Sequence, residues 1–289
     1  MNIIYFIIFF CMLYLLIGFF LAIKQKVSQV VVAKIKNNNE RVMPYIYDSD
    51  YYLYSYSGNE KQYILDLDKM PISLKRCFDY GFPKPGEKIL DLGCGRGHLA
   101  YYCVMNGCIA VAIDYSKAAI DLANKTRNAL PENLRSNMIV KEMDFRDLKA
   151  DEKYDVIFMA DLVEHLYDWQ LKELFKKVKE ILKEDTGRIV IHTAPNKTWI
   201  NIIFPLKRIL NWLSVVSAKK DFFYTRGKYN YDENMHVNEQ TTRDVRKLLR
   251  DFEARVWCDD GSSNVISLLT KHFAGADIWA MARLKNKTK

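Results

Sequence analysis

The sequence has no Cys-x-x-Cys pair. Its six cysteines, Cys11, Cys77, Cys94, Cys103, Cys108 and Cys258, stand singly. That spacing argues against a zinc knuckle and suggests no disulfide framework. A reducing compartment is the simpler expectation. Zinc-finger and RNA-binding signatures are also missing. The net charge of +8 is therefore read toward an anionic membrane surface, with nucleic acid disfavoured. No internal repeat is found. Charge is absent from residues 3–23, IIYFIIFFCMLYLLIGFFLAI. About 20 apolar residues rising ~1.5 Å each span a ~30 Å hydrocarbon core. The marks of a cleaved signal peptide are lacking too: Met1-Asn2 carries no basic side chain, and LAIKQK is a poor cleavage site. The expectation is a single transmembrane anchor over residues 1–24.

What is present begins with charge asymmetry. Lys24, Lys26, Lys34, Lys36 and Arg41 all follow the apolar run. Positive flanks face the cytoplasm, so the body of the protein is placed on the cytoplasmic side of a single-pass membrane protein. Residues 25–64 read as linker and lead-in. They include the solvated NNNE at 37–40 and the Tyr/Ser-rich YDSDYYLYSYSG at 47–58, taken as an irregular segment packed on the domain or a substrate-contacting lid.

The body, residues 65–285, alternates strands and helices. Helical segments are expected at 65–81 (ending on Gly81), 97–106 (ending on Gly107), 116–130 (with Ser116 as N-cap), 169–183 and 241–252. Buried strands are expected at 88–93, 108–114, 138–144, 154–160 and 188–194. EARVWCD (253–259) and DIWAMARL (277–284) read as two more strands, paired antiparallel at one edge. The fold class is α/β, a doubly wound Rossmann-like sheet of seven strands with the last antiparallel. Ligands bind such sheets at the carboxyl ends of the strands.

After the first strand stands ILDLGCGRGHLA (89–100). Its glycines are spaced G-x-G-x-G at Gly93, Gly95 and Gly97, not the G-x-G-x-x-G of a dinucleotide loop. Asp91 inside the turn is awkward for a pyrophosphate but suits a cationic ligand. S-adenosylmethionine carries a sulfonium and an ammonium group and no phosphate.

The stretch resembles motif I of class I S-adenosylmethionine-dependent methyltransferases, and the resemblance runs over about residues 70–285. It implies that Gly93, Cys94, Gly95 and Gly97 let the backbone approach the methionine moiety, with Asp91 orienting the site. Asp114, ending the second strand, would accept both ribose hydroxyls, and Tyr115 would pack on the adenosine. Asp144 would meet the adenine amine with Phe145 over the ring. Ala160 and Asp161 would line the methionine end.

MADLVEHLYD (159–168) follows the fourth strand. On a helical turn Asp161, Glu164 and His165 share one face. His165 is the natural general base, with Glu164 beside it. The segment resembles the E-x-x-E-H stretch of ubiquinone-biosynthesis O-methyltransferases, which implies a divalent cation such as Mg2+ held by Asp161, Glu164 and His165. HTAPN (192–196) resembles the turn after the fifth strand of that group. His236 resembles the start of an H-V-N turn that closes over the active site or caps the last helix.

Residues 196–234 form an insertion rich in Trp, Ile and Leu, broken by Pro205 and by basic residues. Residues 199–216 are read as a membrane-dipping helix or an ordinary apolar lid. The expected activity is methyl transfer from S-adenosylmethionine to the oxygen or nitrogen of a small, lipophilic acceptor. Rival readings are a methyltransferase acting on a soluble or protein acceptor, and a non-catalytic membrane protein that keeps the cofactor-binding fold. A dehydrogenase is disfavoured by the glycine spacing.

Overall fold

The computed structural model describes residues 41–54, 70–203, 235–259 and 275–285. The membrane run at 3–23, the NNNE linker, the first residues of the 65–81 helix, most of the 196–234 insertion and the GSSN stretch lie outside the described residues. Among the described residues, no helix is long and apolar enough to cross a membrane. The chain divides into two compact units, Met1–Arg41 and Val42–Lys289. The second unit carries the sheet and the site.

A short helix α1 (Ser49–Tyr54) belongs to the lead-in. The body then runs α2 (Ile72–Gly81), β1 (Lys88–Leu92), α3 (His98–Met105), β2 (Ile109–Asp114), α4 (Lys117–Asn128), β3 (Met138–Glu142), β4 (Val156–Ala160), α5 (Asp168–Ile181), β5 (Arg188–Thr193), α6 (Thr242–Leu248), β6 (Phe252–Asp259) and β7 (Asp277–Leu284). The seven strands form one sheet in the order β3-β2-β1-β4-β5-β7-β6. β1 to β5 are parallel, and β7 runs antiparallel between β5 and β6.

The period-2 alternation of the strands sorts the core onto two faces. Leu90, Leu92, Val111, Ile113, Ile157, Met159, Ile189 and Ile191 pack on α5 and α6 through Leu171, Leu174, Val178 and Val245. Ile89, Ala110, Ala112, Val156, Phe158 and Val190 face Cys77, Leu99 and Cys103 of α2 and α3. Burial on both faces is why β1, β2, β4 and β5 read as nearly unbroken apolar runs. A third cluster joins Val42, Tyr47 and Tyr52 of the lead-in to Ala119 and Leu122 of α4 and to Met235.

Local chemistry sets the helix ends. Ser116 caps α4 by accepting from the Ala119 N–H. Thr241 and Asp244 exchange N–H bonds at the start of α6. Gly107 ends α3 at φ 83°. Gly81 does not play that part for α2. The left-handed residue is Phe82, at φ 42°. Gly81 is small because Phe158 lies against it: a Cβ there would sit 2.5 Å from the ring. The last helix is also shorter than its expected 241–252, because Phe252 already pairs with Leu284 and is buried as the first residue of β6.

Strand order reverses between β1 and β4. In open α/β sheets that switch point opens a crevice at the carboxyl ends of the strands. The glycine loop follows β1, and the carboxylate-rich turn follows β4.

Candidate active site

The glycine loop is pinned to the end of β2. Gly93 and Cys94 both donate to the Ile113 carbonyl, at 2.9 and 3.0 Å. Gly95 donates to Asp114 Oδ2 at 3.0 Å, and Ser116 donates to Asp114 Oδ1 at 2.9 Å. Gly93 and Gly97 stand at φ 70° and 76°, where a side chain is strained. At Gly97 a Cβ would also come within 2.9 Å of Met138.

This loop borders a cleft of about 830 Å³ of empty space, part of it open to solvent. Asp91, Gly93, Cys94, Gly95, Asp114, Tyr115, Ala160 and Asp161 line it, together with His165. A second cleft of about 480 Å³ shares Gly93, Asp114, Tyr115 and His165 with the first and adds Asp144 and Phe145. Of the expected cofactor residues only Gly97 lines neither cleft; it shapes the turn. Asp144 caps a short turn, Phe145–Asp147, and forms a forked pair with the Arg146 guanidinium, at 2.9 and 2.7 Å.

The residues present fit a cationic, phosphate-free ligand. Asp91 Oδ2 is buried with no hydrogen-bond partner among the described residues. Burial pushes the Asp91 carboxyl up to about 7 and the Asp114 carboxyl up to about 6. Ionised forms held this far from water call for a positive partner.

Four cleft contributors carry little signal in the sequence. Tyr47, Tyr51 and Tyr52 of the lead-in and Arg96 of the loop all line the larger cleft. Ser116 Oγ donates to the Tyr47 carbonyl at 2.7 Å, and Tyr115 OH donates to the Val42 carbonyl at 3.3 Å. These bonds hold the lead-in against the cleft. The only hint was the tyrosine-rich composition of 47–58.

The turn after β4 is not one helical face. Asp161 takes a left-handed φ of 52°, and only Val163–His165 form a 3-10 turn. Asp161 Oδ1 lies 2.7 Å from His192 Nδ1. Glu164, 1% exposed, lines neither cleft and accepts from Thr193 Oγ1 at 2.8 Å. Burial, then the Asp161 charge, pushes its carboxyl up. The shared face expected for Asp161, Glu164 and His165 is thereby corrected. The ligand-capable atoms that gather within 4.8 Å of one another belong to Glu164, His165 and His236. Asp161 is outside that set, so the three residues do not form the expected cation site.

His165 Nδ1 lies 3.2 Å from the Met235 carbonyl and 3.0 Å from Tyr47 OH. A carbonyl only accepts, so the proton sits on Nδ1 and the lone pair on Nε2. The His236 ring packs edge-on at 4.8 Å. Burial first, then His236, holds the His165 imidazole down at about 3, so it is neutral at physiological pH. The H-V-N turn clamps this region: the Asn238 amide N–H donates to the Glu164 carbonyl and its side chain to the Leu166 carbonyl, both at 3.0 Å.

Comparison with known proteins places this arrangement. The methyltransferase-domain family matches residues 67–259. The chain is 26% identical over 199 residues to a ubiquinone biosynthesis O-methyltransferase of Pasteurella multocida, covering 65% of this chain and 70% of that one. It is 29% identical over 117 residues to the (S)-coclaurine N-methyltransferase of Papaver somniferum, covering 40% of this chain and 32% of that one. It spans 50–56% of the length of other ubiquinone biosynthesis O-methyltransferases. Among solved structures, an S-adenosylmethionine-dependent methyltransferase from Archaeoglobus fulgidus shares the fold, with a TM-score of 0.51 and 18% identity over 79% of this chain and 96% of that one. The family match takes in the glycine loop, the β4 turn and β6 together, and the chain belongs to this methyltransferase-domain family, as a class I S-adenosylmethionine-dependent methyltransferase.

Proposed function

We propose that the protein is anchored in a membrane by residues 3–23, with the methyltransferase unit on the cytoplasmic side, and methylates the oxygen of a small lipophilic acceptor. The observation that carries the reading is the meeting of two features in one cleft. Asp114 and the glycine loop form one wall, and the neutral His165 imidazole forms another. The charge-free run and its basic flank support the anchor.

Bound S-adenosylmethionine would supply an electrophilic methyl group on a sulfonium. The chain's own residues do the rest. Asp114 takes the ribose hydroxyls, Asp144 and Phe145 the adenine, and Asp91, Ala160 and Asp161 the methionine end. The lead-in tyrosines exclude water, and most of the acceleration comes from aligning the pair. His165 Nε2 takes the acceptor's proton. A base this weak does not ionise a hydroxyl in advance. It takes the proton as the new carbon–oxygen bond forms and the oxygen turns strongly acidic. An amine acceptor, the second reading, uses its own lone pair and does not need His165.

The test is labelled-methyl transfer by the full-length protein in lipid nanodiscs. Incorporation into a membrane lipid extract, with none into a soluble metabolite extract, is the expected result. Labelling confined to soluble acceptors or protein would contradict the lipophilic assignment.

A further inference from the structure

At the edge of the cleft, at the carboxyl ends of β4 and β5 and the start of β7, two half-buried carboxylates flank a buried histidine that the methyl-transfer reading leaves without a role. His192 of β5 is 3% exposed. One ring nitrogen lies 2.7 Å from Asp161 Oδ1, and the other 3.9 Å from Asp277 Oδ2. The Asp161 contact is close but off the N–H axis, so it is charge pairing and not an aligned hydrogen bond. Trp279 packs over the imidazole with ring centres 4.3 Å apart. Arg76, beyond Trp279 at 5.9 Å, is itself paired with Asp259 at 3.5 Å.

Three things mark Asp161 as more than a structural acid. It lines the cleft, with its side chain 21% exposed. It holds a left-handed backbone that costs a non-glycine residue free energy and that clusters at functional sites. It directly follows β4, which adjoins β1, and β1 carries Asp91, so the crevice receives carboxylates from both sides of the switch point.

We propose that His192 is a positioning residue: wedged between Asp161 and Asp277, it sets the Asp161 carboxylate toward the cleft as the seat of the donor's α-ammonium group. An imidazole between two carboxylates carries both protons. Burial alone would lower its pKa, but Asp161 and then Asp277 outweigh burial and push it up to about 10. His192 does not line the cleft and acts through Asp161. The proposal rests on the assignment of S-adenosylmethionine to this cleft.

The experiment compares two ligands by calorimetry on the full-length protein. S-adenosylhomocysteine carries the α-ammonium. 5′-Methylthioadenosine keeps the nucleoside and the sulfur but has no amino-acid end. Wild type is expected to favour the first. In His192→Gln that preference falls roughly ten- to a hundred-fold, the size of a lost charge-assisted contact, while methylthioadenosine affinity is unchanged. Asp161→Asn gives the same loss, and the double variant loses no more than Asp161→Asn alone. Unchanged preference in folded His192→Gln overturns the role of His192 and leaves the donor assignment standing. Binding of neither ligand to folded wild type overturns both. Should His192→Gln fail to fold, retained preference in Asp161→Asn is by itself contradictory.

Discussion

His165 is where single atoms decide the chemistry. Its Nδ1 is committed to Met235 and Tyr47, so Nε2 is the basic atom. General-base assistance is worth ~10²–10⁴-fold. A base held as low as about 3 works at the weak end of that range, so His165→Ala should lower kcat by roughly 10²-fold or less with a hydroxyl acceptor, and by much less with an amine. Equal losses on both would mean the residue only packs. The sequence pointed to His165 through the E-H pair after the fourth strand. It did not point to Tyr47 or Met235, which reach the same nitrogen from 118 and 70 residues away. His192 stood in the HTAPN stretch the sequence did single out, but its partners were hidden. A histidine in a buried strand looks like packing until the neighbouring strand brings an aspartate to 2.7 Å.

Among the elements, the glycine loop and the strands were the most legible, because a backbone rule stands behind each. The unbroken apolar runs of β1, β2, β4 and β5 require burial on both faces, and the sheet provides it. The turn after β4 was misread, since i, i+3, i+4 spacing places residues together only if the helix holds. Here Asp161 turns left-handed and breaks it. The glycine loop and the turn before β1 make a paired prediction. At Gly86, φ 84°, an added Cβ would have nothing within 4 Å, whereas at Gly97, φ 76°, it would meet Met138 at 2.9 Å and Ala123 at 3.2 Å. Gly86→Ala should cost only the left-handed backbone, ~1–2 kcal/mol. Gly97→Ala adds crowding worth ~1 kcal/mol or more, about 2–4 °C further in Tm by thermal denaturation. Equal shifts would show that the neighbours give way freely.

At the scale of the whole molecule the buried carboxyls link binding to pH. Asp91 at about 7 and Asp114 at about 6 both lie above their ordinary value of 3.8, because burial disfavours the charge. Their protonated forms stabilise the ligand-free protein fully below pH 3.8, and that contribution is lost as pH rises through 6 and 7. A cationic ligand needs the ionised forms. Its affinity should strengthen by about tenfold or more between roughly pH 5.5 and pH 8, with proton release seen as a buffer-dependent binding enthalpy. A flat profile would mean that neither carboxyl meets the ligand. All of this chemistry depends on the cleft holding S-adenosylmethionine through Asp114 and the glycine loop. Calorimetric titration of the full-length protein in nanodiscs with S-adenosylmethionine, beside Asp114→Ala, tests that dependence. One-to-one micromolar binding that the substitution abolishes is the expected result. Folded wild-type protein that does not bind, or an Asp114→Ala variant that binds as tightly, would contradict it.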